Sequence, residues 1–164
     1  MSTGRKDGMP QPSRPGRAWF GAAAAVGLLH AAFSAYWALG GRWLLDTVGS
    51  WATGLAESAP VGAGLALGVV TLAKVAGAVV PLLVERGRLG HRRLWRRLEW
   101  AGGGLLLVYG LGNAVVAWAV LLGVIVTADG YDARAQLGHA ALWDPLFALW
   151  GALLLAGLRR SRGT

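Results

Sequence analysis

The sequence predicts an all-α membrane protein built as an antiparallel bundle of four transmembrane helices. Its 164 residues are 55% hydrophobic and only 15% charged, and the apolar residues form four long runs separated by short polar segments. One run, residues 98–126, has Asn113 as its only strongly polar side chain after Glu99. At about 1.5 Å per residue this run is longer than a hydrocarbon core of about 30 Å. Short connections between such runs favour antiparallel neighbours.

The first apolar run follows a basic tail, residues 1–17, whose Gly, Ser and Pro content is typical of disorder. A cleaved signal peptide is the alternative interpretation of this run, because an arginine precedes an alanine-rich stretch. The run is longer than an ordinary signal-peptide core and ends in aromatic residues, which favours an uncleaved span. The predicted spans are 18–40, 60–84, 98–126 and 138–158, within a transmembrane domain 18–158 that a second basic tail, 159–164, follows.

Three polar segments connect the four spans. Residues 41–59 contain the stretch LLDTVGSWATGL, which predicts a short helix lying on the membrane surface. Residues 85–97 hold six arginines, and residues 127–137 form a turn-rich acidic loop. The net charge of the three connections is therefore negative, positive and negative in chain order.

The basic residues predict the orientation in the membrane. Of the sixteen lysines and arginines that give the chain a net charge of +8, thirteen lie in the two tails and in residues 85–97. Cytoplasmic loops carry an excess of Lys and Arg, so both termini and this segment are expected in the cytoplasm, in a multi-pass protein of the cell membrane. The arginines around Trp95 predict contact with anionic lipid headgroups rather than with nucleic acid.

Four polar residues fall near the middle of the predicted spans, one in each. At about 1.5 Å per residue from the cytoplasmic edge, His30, Lys74, Asn113 and Asp144 lie roughly 18, 15, 20 and 21 Å deep. Polar groups at such depth are costly, so this layer is the candidate site. We expect Lys74 to point inward and to pair with Asp144, although a lysine can also extend toward the surface. His139 is expected near the outer surface, as an interfacial residue.

Each member of the layer also has a purely structural interpretation. His30 can bond a neighbouring backbone group or Asn113, and Asn113 can link two helices. Asp144 precedes Pro145 and can cap a helix that begins at the proline. A cap would leave a short span, so we favour one kinked helix that begins near Ala133.

Several kinds of chemistry lack their sequence signatures. The chain has no cysteine, which excludes disulfides, thiol catalysis and cysteine-bound metals. It also has no P-loop, Rossmann glycine fingerprint, GxSxG or HExxH motif, and no metal site or cofactor is predicted. Gly64 and Gly68 form a GxxxG pattern, which favours a contact inside the bundle and leaves a homo-oligomer contact as the alternative.

Two segments carry a resemblance to a known family. HAAFSAYWALGGRWLLDTVG, residues 30–49, and GHAALWDPLFALWG, residues 138–151, resemble the recurrent segments of small four-helix bacterial membrane proteins that are common in actinobacteria. That family is catalogued only as a domain of unknown function. The resemblance covers most of residues 18–158 and implies four spans in the cytoplasmic membrane, but no activity. It points to His30, Trp37, Gly40, Gly41, Trp143, Asp144 and Pro145.

The sequence favours one function and leaves two others open. The favoured hypothesis is a non-enzymatic accessory or lipid-interacting bundle, in which the buried polar layer near the membrane midplane fixes the helix register. A binder or carrier of a small hydrophobic molecule would use the same layer as its midplane site. A membrane enzyme acting on a lipid or isoprenoid would use His30 and Asp144 for proton transfer, by fold analogy alone. Whether the protein is an enzyme stays open at this point.

Overall fold

The computed structural model describes residues 16–128 and 130–161, and within these ranges every regular element is helical. The predicted basic tail 1–17 lies outside the described residues except for its last two positions, and residues 162–164 of the second tail also lie outside them. The helices are α1 (Arg17–Ala38), α2 (Ser50–Ser58), α3 (Pro60–Glu85), α4 (Arg92–Leu121), α5 (Ala133–Gly138) and α6 (Asp144–Arg160). A 3₁₀ turn, Leu45–Thr47, precedes α2, and a π-helical turn, His139–Trp143, joins α5 to α6.

Four helical segments are long and apolar enough to cross a membrane: α1, α3, α4 and the continuous segment Ala133–Arg160. The all-α fold class with four such helices is thereby confirmed. The short helix predicted between the first two spans is also present, as α2. The second tail, predicted from residue 159, begins later, because Arg159 and Arg160 still belong to α6.

The third helix differs most from its predicted span. The prediction was 98–126, whereas α4 begins at Arg92 and ends at Leu121. The start is earlier because the arginine-rich residues continue the helix and are not a loop. The end is earlier because Gly123 takes a left-handed conformation with φ of 71°. Its N–H bonds the carbonyl of Val120, and the next N–H bonds the carbonyl of Ala119, so a Schellman motif closes the helix.

Helices α1 and α6 form the centre of the bundle. In the most apolar stretch of each span, 39% of the residues are buried in α1 and 44% in the segment Ala133–Arg160 that contains α6. The corresponding share is 17% in both α3 and α4. Helix α3 packs on α1 and helix α4 packs on α6, while α3 and α4 hardly touch each other. Along α1 and α6 the contacts run in opposite order, from Phe20 beside Gly157 to Trp37 beside Trp143. The outer pair α3 and α4 therefore encloses a groove on one side of the bundle.

Glycines set the closest approach between helices. A Cβ added to Gly110 of α4 would overlap the backbone of Asp144 and Ala148 in α6, and one added to Gly151 would lie 2.6 Å from the Gly103 carbonyl oxygen. Close backbone packing of this kind is typical of helices that associate in lipid.

The predicted GxxxG pattern makes one contact inside the bundle. A Cβ at Gly64 would lie 2.9 Å from the carbonyl oxygen of Ala38, at the end of α1. The space beside Gly68 is open within the chain.

The loops at the end of the bundle that carries α2, here called the outer end, are fastened to each other. Asp132 caps α5 by accepting from the N–H groups of Arg134 and Ala135, both at 3.1 Å, and it also accepts from the Ser50 N–H at 3.1 Å. Arg134 forms an ion pair with Asp46. These contacts bind the loop before α2 to the start of α5, so the two halves of the chain meet at this end.

Candidate functional site

The first polar cluster joins α3 to α1. The amino group of Lys74 lies 3.0 Å from Nδ1 of His30 and donates to the hydroxyl of Ser34 at 2.8 Å. His30 and Ser34 are one turn apart on α1, and both are buried. The same amino group lies 5.4 Å from the centroid of the Phe147 ring. Lys74 thus points inward, as expected, but its hydrogen-bond partners are a histidine and a serine.

Ser34 was not among the predicted site residues. Its place four residues after His30, on one face of a helix, is the signal that could have found it.

The second polar cluster lies at the outer end of the bundle. Nδ1 of His139 lies 2.9 Å from a carboxylate oxygen of Asp144, which is only 1% exposed. Nε2 of His139 lies 3.3 Å from the carbonyl oxygen of Val48, in the loop before α2. His139 lies near the surface at this end, with 35% of its side chain exposed, and it also bonds a buried carboxylate, which was not predicted. The predicted direct pair of Lys74 with Asp144 is not formed, since the hydrogen-bond partners of Lys74 are His30 and Ser34 and that of Asp144 is His139.

The π-helical turn explains why Asp144 turns away from Lys74. In a π turn the backbone bonds join residues five apart, so His139 and Asp144 come to the same face of the helix. Pro145 has no N–H to give to the preceding turn, which allows that turn to widen. The helical backbone continues through Pro145, and the Asp144 side chain makes no cap bond. The continuous helix is the arrangement observed, and the capped break is not.

Asn113 lies near the second cluster, not the first. Its amide donates to the carbonyl of Tyr109 on its own helix, at 3.0 Å, instead of bonding His30 as one interpretation proposed. Together with Gln136, His139 and Asp144 it lines a recess of about 190 Å³. The single predicted layer is therefore two clusters, His30 with Lys74 and Asn113 with Asp144.

The tryptophans of the family-like segments contact each other. The rings of Trp37 and Trp143 lie edge to face, with centroids 5.1 Å apart. The indole N–H of Trp37 donates to the carbonyl of Trp43 at 2.9 Å, and that of Trp143 donates to the Thr47 hydroxyl at 3.0 Å. Each ring is thus buried with its polar atom bonded to the outer loop, as amphipathic aromatic residues require. The two tryptophans therefore fasten this loop to the bundle.

The two family-like glycines end α1. Gly40 has φ of 91° and donates to the carbonyl of Trp37, and Gly41 donates to the carbonyl of Tyr36, which together make a Schellman motif. A Cβ at Gly41 would overlap the ring of Tyr36. Both positions are explained by backbone geometry.

The groove between α3 and α4 is a large cavity beside Lys74, one of the polar residues of the layer. Its volume is about 550 Å³, and its walls are almost entirely apolar. Lys74 lies on its wall on the α3 side, and Trp95, Leu98 and Glu99 line it on the α4 side. Glu99 is only 6% exposed, and neither of its carboxyl oxygens has a hydrogen-bond partner among the described residues.

Glu99 was not predicted as a site residue. It stood at the edge of the predicted span, where a charge ordinarily meets water. Because α4 begins seven residues earlier, at Arg92, Glu99 lies inside the helix and not at its end.

The arginine-rich start of α4 is fixed at the end of the bundle opposite the outer end. Glu85, 2% exposed, pairs with Arg96 at 3.4 Å and with Arg92 at 3.5 Å. Arg96 also donates to the carbonyl of Leu158 at 3.3 Å and to the hydroxyl of Ser161 at 2.6 Å. The start of α4 is thereby tied to the ends of α3 and α6.

Other arginines of this segment face outward. Arg93 and Arg97 are exposed, and with His91, Arg92 and Leu94 they line a shallow pocket at the surface. In the part of the chain that the structure describes, no three His, Asp or Glu side chains are grouped closely enough to hold a metal ion.

A family model described as "Protein of unknown function (DUF3995)" matches residues 10–154. This match agrees with the resemblance seen in the two recurrent segments. No curated protein matches the chain, and no solved structure does.

Proposed function

The chain belongs to the family described as protein of unknown function (DUF3995), and we propose that it is a non-enzymatic integral protein of the cytoplasmic membrane that binds an anionic lipid. The lipid's acyl chain lies in the groove between α3 and α4, and its headgroup lies on the arginines at the start of α4. The observation that carries this proposal is the position of the apolar groove at the arginine end of the bundle, where Trp95 and Leu98 line it within the same segment of α4 that carries the exposed arginines.

The place where the basic residues meet supports the proposed orientation. The guanidinium of Arg160, at the end of α6, lies 4.3 Å from the ring centroid of Trp19, at the start of α1. Arg96 of α4 reaches Leu158 and Ser161 beside it. One end of the bundle therefore collects the start of α1, the end of α6 and residues 85–97. The excess of Lys and Arg supports a cytoplasmic position for this end.

The polar clusters support a structural role for the layer. The Lys74 amino group has three electron-rich neighbours, on α1 and α6, that hold it inside the bundle. The enzyme hypothesis requires His30 and Asp144 to act on one substrate. His30 lies with Lys74 and Asp144 lies with His139, so the two side chains belong to separate clusters. The enzyme hypothesis therefore has less support than lipid binding.

The experiment is native mass spectrometry of the purified protein in mild detergent, with phosphatidylglycerol and phosphatidylcholine of equal chain length as probes. We expect the anionic lipid to bind more tightly. An arginine near an anionic surface contributes about 1 kcal/mol, so the double change Arg93→Gln with Arg97→Gln should weaken phosphatidylglycerol binding about 30-fold. Arg42→Gln, at the outer end, is the control and should leave binding unchanged. Equal binding of the two lipids by the unmodified protein would reject the proposal.

A second pair of variants tests the acyl-chain site. Gly102 lines the groove, and the space beside it is open, so Gly102→Leu should fill the groove and weaken binding of both lipids. Gly104 also has open space beside it but lies outside the groove lining. Gly104→Leu is therefore the matched control, and an equal loss in the two variants would place the acyl chain elsewhere.

A further inference from the structure

Polar side chains with unused hydrogen-bonding atoms line the recess at the outer end. Asn113 comes from α4, and Gln136, His139 and Asp144 come from the fourth span, around a volume of about 190 Å³. Asp144 is 1% exposed, and only one of its carboxyl oxygens has a hydrogen-bond partner among the described residues. The Gln136 amide has no partner among them. Such groups call for a partner from water or from a bound molecule, so the recess suits a polar ligand.

The contacts of His139 show that its pair with Asp144 has no net charge. Nε2 of His139 faces the carbonyl oxygen of Val48, which only accepts, so Nε2 carries a hydrogen. Nδ1 faces a carboxyl oxygen at 2.9 Å, so one further proton lies between these two atoms. With that proton on nitrogen, the pair is an imidazolium and a carboxylate, and with it on oxygen both groups are neutral. The charges cancel in either case. The other lining residues are two amides, a tyrosine, a valine and an alanine, so the recess as a whole is neutral.

An uncharged molecule with several hydroxyl groups matches this lining. A hydroxyl both donates and accepts, so it can donate to the free Asp144 oxygen and accept from the Gln136 amide. A charged molecule would give up its hydration in a recess that offers no net opposite charge, which is costly. At about 30 Å³ per water molecule, the recess has room for about six waters. That space suits a group of the size of one sugar ring and is too small for a whole lipid.

We propose that the recess binds an uncharged polyol of sugar size, whose hydroxyl groups bond Asp144 and the amides of Asn113 and Gln136. The site shares no lining residue with the groove between α3 and α4, so this inference goes beyond the proposed lipid binding and does not rest on it. Asn113 precedes Leu121, the last residue of α4, by eight residues, or about 12 Å along the helix. Two sources share the required chemistry: a free monosaccharide outside the membrane, and the sugar headgroup of a neutral glycolipid.

The test uses the full chain in mild detergent and two pairs of probes. Native mass spectrometry compares monoglucosyl diacylglycerol with diacylglycerol of the same chains, and saturation-transfer NMR compares free glucose with glucosamine. The glucosyl lipid should bind more tightly than diacylglycerol. Gln136→Leu should weaken its binding about fivefold, the effect of one neutral hydrogen bond. The melting temperature of this variant should not fall, since its side chain has no hydrogen bond within the described residues to lose. Ser58→Leu, exposed at the outer end and outside the recess lining, is the control and should bind normally.

The outcomes also distinguish the two sources. Binding of the glucosyl lipid without binding of free glucose would support the headgroup as the ligand, and saturable binding of free glucose would support the sugar alone. Equal binding of the two lipids together with no binding of glucose would overturn the inference. Unchanged affinity in both Gln136→Leu and Asn113→Leu would also overturn it, since the sugar would then lie elsewhere. Tighter binding of glucosamine, whose ammonium group is charged, would contradict the neutral recess.

Discussion

The Nδ1 atom of His139 lies 2.9 Å from a carboxylate oxygen of Asp144, five residues further along the same helical segment. The contact depends on the π-helical turn between them, which brings residues five apart to one face. The other ring nitrogen lies 3.3 Å from the Val48 carbonyl oxygen, so the pair joins the fourth span to the outer loop. Asp144 is therefore buried in contact with His139 and not with Lys74.

Breaking this pair from one side should cost more than removing both members. His139→Leu leaves the buried Asp144 carboxyl without its hydrogen-bond partner, a change that typically costs about 1–3 kcal/mol. The double variant with Asp144→Asn should lose less, and the difference is read as a double-mutant cycle on thermal unfolding in detergent. Arg93→Leu, at an exposed helical position, is the control. Losses that simply add would show that the two side chains are not coupled.

The same cycle applied to Lys74→Met and Asp144→Asn should give additive losses. Lys74 bonds His30 and Ser34, and Asp144 bonds His139, so the two residues share no hydrogen-bond partner. A coupling of more than about 0.5 kcal/mol between them would contradict the separation of the clusters.

Gly110→Ala should destabilise the bundle because the added methyl group meets the α6 backbone at Asp144 and Ala148. Overpacking of this kind typically costs about 1–3 kcal/mol, and a backbone cannot move aside as a side chain can. Gly112→Ala on the same helix is the matched control, since nothing lies within 4 Å of its added Cβ. Thermal unfolding in detergent should show a lower melting temperature for Gly110→Ala alone. Equal effects would indicate that α4 and α6 pack less closely than observed.

Single cysteines should report the orientation of the bundle on intact cells, since the chain has none of its own. Cysteine at Ser50 or Thr127, both exposed at the outer end, should react with a membrane-impermeant maleimide. Cysteine at Gly90, exposed at the arginine end, should react only after the cells are opened. The reverse labelling pattern would show that the bundle has the opposite orientation.

The helices could be predicted from the sequence because an apolar run of membrane length has few alternatives to a helix. The end of α4 could not, since Gly123 lies inside a run whose hydropathy continues to Val126. Hydropathy records how apolar a stretch is, and it does not record where one glycine adopts a left-handed conformation.

The candidate site was predicted only in part. Depth along a helix follows from residue number, and it brought His30 and Lys74 together correctly. The rotation of a side chain about the helix axis depends on the turn geometry, and the π turn gave Asp144 a different partner. Glu99 could not be predicted as a site residue for a similar reason, because its burial depends on where α4 begins.

The unequal lengths of α1 and α4 bear on the bilayers that suit this protein. Helix α1 has 22 residues and α4 has 30, which makes α4 about 12 Å longer. Part of the surplus lies at the arginine end, because α4 begins four residues before Arg96, which bonds the end of α6. In a bundle that spans a hydrocarbon layer of about 30 Å, this part would extend beyond the layer. Where a membrane is thicker or thinner than this, α4 can change its tilt and keep its arginines in the headgroup zone, a common response to hydrophobic mismatch. The central helix α1 has almost no surplus, so it is α1 that sets the thickness the bundle fits best.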